Sequence, residues 1–202
     1  MSKNDLDFTL KKGGVFFYKD KGTTTMQYIT HYTSPLGKIT LASNGNAVIG
    51  LWFEGQKHDR SILLPNCREG ELPIFVETKK WLDDYFAGRK PGFTPALALD
   101  CSPFRTEVLQ ILMRIPYGKT TTYGEIAKEI AEKRGLAKMS AQAVGGAVGS
   151  NPISLIIPCH RVVGTGGSLT GYGGGIQKKL ALLQLEKVNM EKLFLPKKGT
   201  AL

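Results

Sequence analysis

The sequence predicts an α/β chain of the α+β kind, with a small sheet-and-helix unit ahead of a mainly helical half. Strand-like runs punctuated by turn residues fill 26–53, and apolar residues recur at helical spacing from residue 74 onward. With 202 residues, 42% of them hydrophobic, the chain can bury a sizeable core. Residues 1–24 alternate charge, glycine and threonine around Val15-Phe16-Phe17-Tyr18 without a sustained period, and are expected to form an N-terminal extension. Strands follow over 26–33, 38–43 and 48–53. Ser34-Pro35-Leu36-Gly37 and Asn44-Gly45-Asn46 separate them and are the turn residues of an antiparallel meander. A helix is expected over 74–87, where Phe75, Thr78, Trp81, Leu82, Tyr85 and Phe86 recur at helical spacing and Gly88 supplies a stop. A last strand at 96–99 and a linker marked by Pro91, Gly92 and Pro95 put a boundary near residue 97. Residues 25–97 are thus expected to form one domain, 98–190 a second, and 191–202 a tail.

The second half opens with a helix expected over 103–114, Ser102 capping it and Pro103 at its first position. Thr122 caps a helix over 123–133, and Ser140 caps another over 141–148. Two short helices joined by a tight turn make a candidate helix-turn-helix. The second of them lacks bulk: Ala141, Ala143, Gly145, Gly146 and Ala147 leave Gln142 as its only long polar side chain. Such a helix can approach another backbone closely, whether that of a neighbouring helix or that of a nucleic acid. The net charge of +10 is lopsided, with +3 on residues 1–97 and +7 on 98–202. The second half would attract a polyanion, although a solvated basic surface accounts for the same charge.

Other classes are excluded. No run approaches the roughly 18 apolar residues of a membrane span, and Lys3, Asp5 and Asp7 stand where a signal peptide would be apolar. The expectation is a cytoplasmic protein, nuclear if the cell is eukaryotic. Cys67, Cys101 and Cys159 form no Cys-x-x-Cys pair, which argues for reduced thiols over a disulfide framework or a cysteine-rich zinc site.

The chemistry is expected in the run Asn151-Pro152 to Val163, read as an apolar strand that delivers Cys159-His160 to its end. A thiol of ordinary pKa about 8.5 is only a few per cent ionised at neutral pH, so a nucleophilic cysteine needs a base or a positive environment. Neighbouring residues of a strand face opposite ways, so a water or a twist would have to join Cys159 to His160. Residues 164–175 are glycine-rich and could wrap a flat ligand, but they match neither phosphate-binding loop pattern, so no nucleotide cofactor is expected. A last helix over 176–187 carries Leu180, Leu182, Leu183 and Leu185 and ends with Glu186.

Taken together, Asn151-Pro152, Ile157-Pro158-Cys159-His160-Arg161-Val162, Gly171-Tyr172-Gly173-Gly174 and the Leu-rich helix ending at Glu186 resemble the O6-alkylguanine-DNA alkyltransferases. The resemblance spans 103–187 and implies a ribonuclease-H-like N-terminal α/β domain followed by a helix-turn-helix domain. It implies that Cys159 accepts the alkyl group, that His160 takes its proton through a water, that Glu186 orients His160, and that Asn151 braces the turn before them. It also implies DNA contacts from Tyr123, which would turn the phosphate of a flipped nucleotide, and from Ala141, Gln142, Gly145, Arg161 and Thr165, with the helix in the minor groove. Tyr172, Gly173, Val162 and Met139 would line the base pocket. Where many members place an arginine that fills the gap left by the flipped base, this chain has Gln142, which lacks the guanidinium charge and plane. The zinc site of some members has no counterpart in 1–97, so neither metal nor cofactor is expected. The implied reaction is a single irreversible transfer of an alkyl group from O6-alkylguanine, with O4-alkylthymine as a second candidate substrate, in double-stranded DNA to Cys159 of a monomer. The competing readings are a DNA-binding module without transfer and a cysteine hydrolase. The first has no need of an activated thiol, and the second gives no reason for a helix-turn-helix.

Overall fold

The computed structural model describes residues 17–18, 26–56 and 62–196. Strands β2 (Tyr28–Ser34), β3 (Gly37–Ser43) and β4 (Val48–Phe53) form the expected antiparallel meander. Its first turn closes because the Ser34 hydroxyl donates to the Gly37 carbonyl at 2.6 Å and Gly37 takes φ 114°, which favours glycine. Its second turn is held by the Asn44 side-chain oxygen, which accepts from the Asn46 and Ala47 amides. Three two-residue strands extend the sheet to the order β1-β6-β4-β3-β2-β5: β1 (Phe17–Tyr18), β5 (Arg68–Glu69) and β6 (Leu97–Ala98). The sheet therefore reaches back into the segment expected to be an extension, while 1–16 and 19–25 lie outside the described residues.

Helix α1 (Pro73–Phe86) lays Ile74, Phe75, Thr78, Trp81, Leu82 and Tyr85 on the sheet. Helix α2 (Pro103–Met113) begins at Ser102, whose hydroxyl accepts from the Arg105 amide. Strand β7 (Thr121–Thr122) leads into α3 (Tyr123–Arg134) and α4 (Ala141–Gly149), and β8 (Val162–Val163), which follows them, returns to pair with β7 in parallel. Helix α3 has a full capping box, with the Thr122 hydroxyl accepting from the Glu125 amide and the Glu125 carboxylate accepting from the Thr122 amide at 2.7 Å. Its far end turns at Gly135, in the left-handed region at φ 64°. Val144, Ala147 and Val148 bury α4 against α2 and α3, leaving Ala141, Gln142 and Ala143 exposed. Helix α5 (Ile176–Leu185) ends two residues earlier than expected, with Glu186 as its cap.

One buried core runs through both halves. They join where β6 covers only Val48 of β4, which leaves Leu51 with a free edge: the Leu51 amide donates to the Pro152 carbonyl at 2.9 Å, and the Ser154 amide donates to the Leu51 carbonyl at 2.9 Å. The expected strand over 151–163 is thereby corrected. Apart from that single bridge, 151–158 is irregular, Leu155 takes φ 68°, and Cys159–Arg161 is a 3₁₀ turn. Pro152 and Pro158 have no amide hydrogen to give a ladder, and the run is apolar because it is buried on all sides, not because it alternates. The expected tail also joins the fold, since the Leu169 amide donates to the Phe194 carbonyl at 2.9 Å. Residues 197–202 lie outside the described residues. Among the described residues no helix is long and apolar enough to cross a membrane.

Candidate active site

The 3₁₀ turn sets the geometry of the site. With three residues per turn, successive side chains leave the axis about 120° apart, so Cys159, His160 and Arg161 point three ways from one anchor. Cys159 is 6% exposed, and its sulfur accepts from Asn151 Nδ2 at 3.1 Å. The same Asn151 amide donates to the carbonyls of Ile157 at 2.8 Å and Ile153 at 3.2 Å, while its oxygen accepts from the Ile153 amide. A single buried side chain thus satisfies the irregular backbone and touches the thiol.

His160 is fully buried, with Nε2 2.7 Å from Glu186 Oε1. Glu186 is held from four directions. Its Oε1 also accepts from the Tyr85 hydroxyl at 2.8 Å and Arg161 Nη2 at 3.0 Å, and its Oε2 accepts from Arg161 Nε at 2.8 Å and the Gly118 amide at 3.2 Å. Burial alone would raise the Glu186 carboxyl, but the hydrogen bonds from His160 and Arg161 and the Arg161 charge hold it down at about 2. It is therefore a carboxylate, and His160 Nε2 carries the hydrogen between them. Burial, with Arg161 and Lys179 nearby, lowers His160 below its ordinary value against the pull of Glu186, so the ring is neutral. Its Nδ1 is then the lone-pair nitrogen, and it has no protein hydrogen-bond partner among the described residues.

Burial pushes the Cys159 thiol up, opposed by the Asn151 bond and the Lys179 charge. Lys179 Nζ, itself buried, donates to the carbonyls of Val162 at 2.5 Å and Thr170 at 2.6 Å, and burial pulls it down to about 8. The Tyr172 ring is buried edge-on to His160, with centroids 6.4 Å apart. The Tyr123 hydroxyl reaches the carbonyls of Thr170 and Gly171 at 3.4 Å. Burial, and then the charge of Cys159, raise it to about 12. The arrangement sets a neutral imidazole and a buried thiol side by side in the chain, with Tyr123 and Tyr172 close to the thiol.

The structure brings together Cys159, His160, Glu186, Asn151, Tyr123, Tyr172 and Val162, with Gly173 next to Tyr172 in the same loop. Gly145 packs under the Tyr123 ring, where an added methyl would lie 3.9 Å from it. Gln142 and Ala141 sit exposed on α4, Thr165 is exposed in a 3₁₀ turn, and Met139 is half-buried before α4. Arg161 is corrected. Instead of facing DNA it is 8% exposed and turned inward, chelating Glu186, donating to the Ile115 carbonyl at 2.7 Å and stacking over Tyr117. Two residues were missed. Lys179 shares a helical stripe with Leu182, Leu183 and Glu186, a signal that a cation lies on the buried face. Tyr85 sits on the apolar face of α1, and a buried phenol hydroxyl usually finds a hydrogen-bond partner.

Two family models match this chain. Residues 27–100 match the 6-O-methylguanine DNA methyltransferase ribonuclease-like domain, and 103–188 match the DNA-binding domain of the same family. The chain is 39% identical over 168 residues to the methylated-DNA–protein-cysteine methyltransferase of Haemophilus influenzae, covering 81% of this chain and 88% of that protein. To the protein of that name in Mycobacterium tuberculosis it is 44% identical over 154 residues, covering 76% and 88%. The crystal structure of Mycobacterium tuberculosis O6-methylguanine methyltransferase superposes with a TM-score of 0.68 at 41% identity, over 80% of this chain and 93% of that one. A structure from the same organism, solved in complex with DNA, gives 0.67 at 40% identity, over 79% and 92%. With both domain models matched in order and relatives covered over most of their length, the chain belongs to the 6-O-methylguanine DNA methyltransferase family.

Proposed function

We propose that the protein repairs double-stranded DNA by moving the alkyl group of O6-alkylguanine, and of O4-alkylthymine, onto Cys159 in one irreversible step. The observation that carries this reading is the neutral His160, its hydrogen on Nε2 toward Glu186 and its Nδ1 lone pair without a hydrogen-bond partner among the described residues, beside a buried thiol. A thiol raised by burial rests protonated, so a base must act before it can attack. Through one water, His160 Nδ1 takes the proton, and Asn151 and Lys179 stabilise the thiolate. The sulfur attacks the alkyl carbon in line, the carbon–oxygen bond breaks with its electron pair left on O6, and the proton passes on to the base. Overall the alkyl group and the thiol hydrogen exchange places, and no cofactor or metal takes part. The resulting thioether does not revert, so each monomer acts once.

The alkylated oxygen of a stacked guanine is out of reach of a protein sulfur in line, so the nucleotide must rotate out of the helix. Tyr123 at the start of α3 turns its phosphate, and Tyr172, Gly173, Val162 and Met139 enclose the base. Helix α4 lies in the minor groove, where Ala141 and Gly145 permit close approach and Gln142 stands at the vacated stack, with Thr165 at the rim. We assign 25–97 and 98–190 as the two domains of a cytoplasmic protein, or a nuclear one in a eukaryote. The test mixes the protein with a duplex carrying one O6-methylguanine at known ratios and locates any added methyl by intact mass and peptide mapping. One methyl on Cys159, saturating at one per protein and absent in Cys159→Ala, is expected. Binding without a mass change would replace this reading with a recognition-only protein.

A further inference from the structure

Tyr85 enters the site from the other half of the chain. Its hydroxyl donates to Glu186 Oε1 at 2.8 Å, the same oxygen that accepts from His160, and lies 3.3 Å from His160 Nε2. The ring is fully buried, stacked on Trp81 with centroids 5.3 Å apart and edge-on to Phe86 and Tyr117. It meets His160 edge-on at 6.4 Å, and Tyr172 closes on the same imidazole at 6.4 Å, so the ring is held between two tyrosines. Packing alone does not ask for this hydroxyl, because phenylalanine would fill the same space without a polar atom to satisfy.

We infer that Tyr85 is a positioning residue for the transfer reaction, its hydroxyl fixing the Glu186 carboxylate and with it the His160 tautomer that leaves Nδ1 to receive the Cys159 proton. This rests on the proposed role of His160. Burial and the adjacent carboxylate keep the Tyr85 hydroxyl protonated, well above its ordinary value, so it is a donor throughout the working range. Among the described residues, the polar and charged groups facing His160 from other positions are Glu186, Arg161, Lys179, Tyr85 and Tyr172, and Cys159 adjoins it in the chain. Of these, Glu186 stabilises the imidazolium, and Tyr85 takes a share of its negative charge. Without that share, the carboxylate pulls harder on the His160 hydrogen, the imidazole becomes more basic, and the acid limb of the rate profile moves to higher pH.

The experiment is single-turnover methyl transfer from the O6-methylguanine duplex, followed across pH for the native protein, Tyr85→Phe and Tyr117→Phe. Tyr117 packs on the same ring without bonding the carboxylate. Tyr85→Phe is expected to react about tenfold more slowly at neutral pH, the loss of one charge-assisted hydrogen bond, with its acid limb displaced upward, while Tyr117→Phe keeps the native limb. A slower Tyr85→Phe with an unmoved limb, a native rate, or an equal displacement in Tyr117→Phe overturns the inference. Should Tyr85→Phe fail to fold, 3-fluorotyrosine at position 85, a stronger donor of the same shape, must move the limb to lower pH, and an unmoved limb is again fatal. A native protein that transfers no methyl would refute the proposed function itself, an outcome distinct from any of these.

Discussion

Replacing Asn151 with alanine tests whether one side chain both holds the irregular segment and readies the thiol. Asn151 Nδ2 donates to Ile153, Ile157 and Cys159, and its oxygen accepts from the Ile153 amide. The two carbonyls keep other donors, since Ile153 also accepts from the Ile157 amide and Ile157 from the Cys159 amide. The Ile153 amide has no such reserve. Stranding it costs about 1–3 kcal/mol and each lost carbonyl bond about 0.5–1, which puts the loss of stability near 3 kcal/mol. For a chain of this size that is a melting point lower by about 6–12 °C. The sulfur loses the Asn151 donor, so a thiol already raised by burial rises further, and the thiolate fraction at neutral pH falls about tenfold per unit of rise. Urea melts give the first quantity. The pH dependence of single-turnover transfer gives the second, as an alkaline displacement of the thiol limb. A stability loss below about 1 kcal/mol together with an unmoved limb would refute the reasoning, because it would mean that neither the backbone nor the thiol depends on these bonds.

Four other outcomes are expected. Glu186→Gln leaves Arg161 buried without its countercharge and should lower stability by about 3–5 kcal/mol in urea melts. In the native protein the Glu186 carboxyl is depressed on folding, so its contribution is present above the ordinary carboxylate pKa and is lost as pH falls toward about 2, visible as steepening acid destabilisation in the same melts. Gly171→Ala places a methyl 2.6 Å from the Tyr123 hydroxyl at a residue with φ 68°, so transfer should slow by at least about tenfold while urea melts fall by only about 1–2 kcal/mol. Gln142→Arg adds a guanidinium on the exposed face of α4 and should tighten duplex binding by about 1 kcal/mol, with a steeper salt dependence, in fluorescence titrations.

The meander and the five helices were legible because their signals are local. Ser34 and Gly37, Asn44, Thr122 with Glu125, and Ser140 each announce a turn or cap by chemistry that the structure then uses. Residues 151–158 were misread because periodicity reports burial on one face, and this segment is buried on all faces. Its backbone is satisfied by the Asn151 side chain, which no period-two pattern can display. Arg161 was misplaced for a related reason. The resemblance implied that it contacts DNA, but its partner Glu186 lies 25 residues away and becomes a neighbour only when α5 folds back. Tyr85 is farther still from that carboxylate, 101 residues along the chain, and its partner could not be guessed from its own helix.

The pair β7–β8 has only two rungs, Thr121 to Val162 and Thr122 to Val163, yet each strand abuts a different working part. Thr122 is the residue before Tyr123, and Val162 follows the Cys159–Arg161 turn. The pair is therefore a gauge between Tyr123 and Cys159, and its setting is quantised in whole residues. A single insertion in 118–120 could not be absorbed as slack, because slipping one rung would reverse the faces of Val162 and Val163 and carry the Lys179 anchor with them. Sequence length should thus be rigidly kept in that short stretch even where residue identity drifts, whereas loops such as 88–95, which span no such gauge, are free to lengthen.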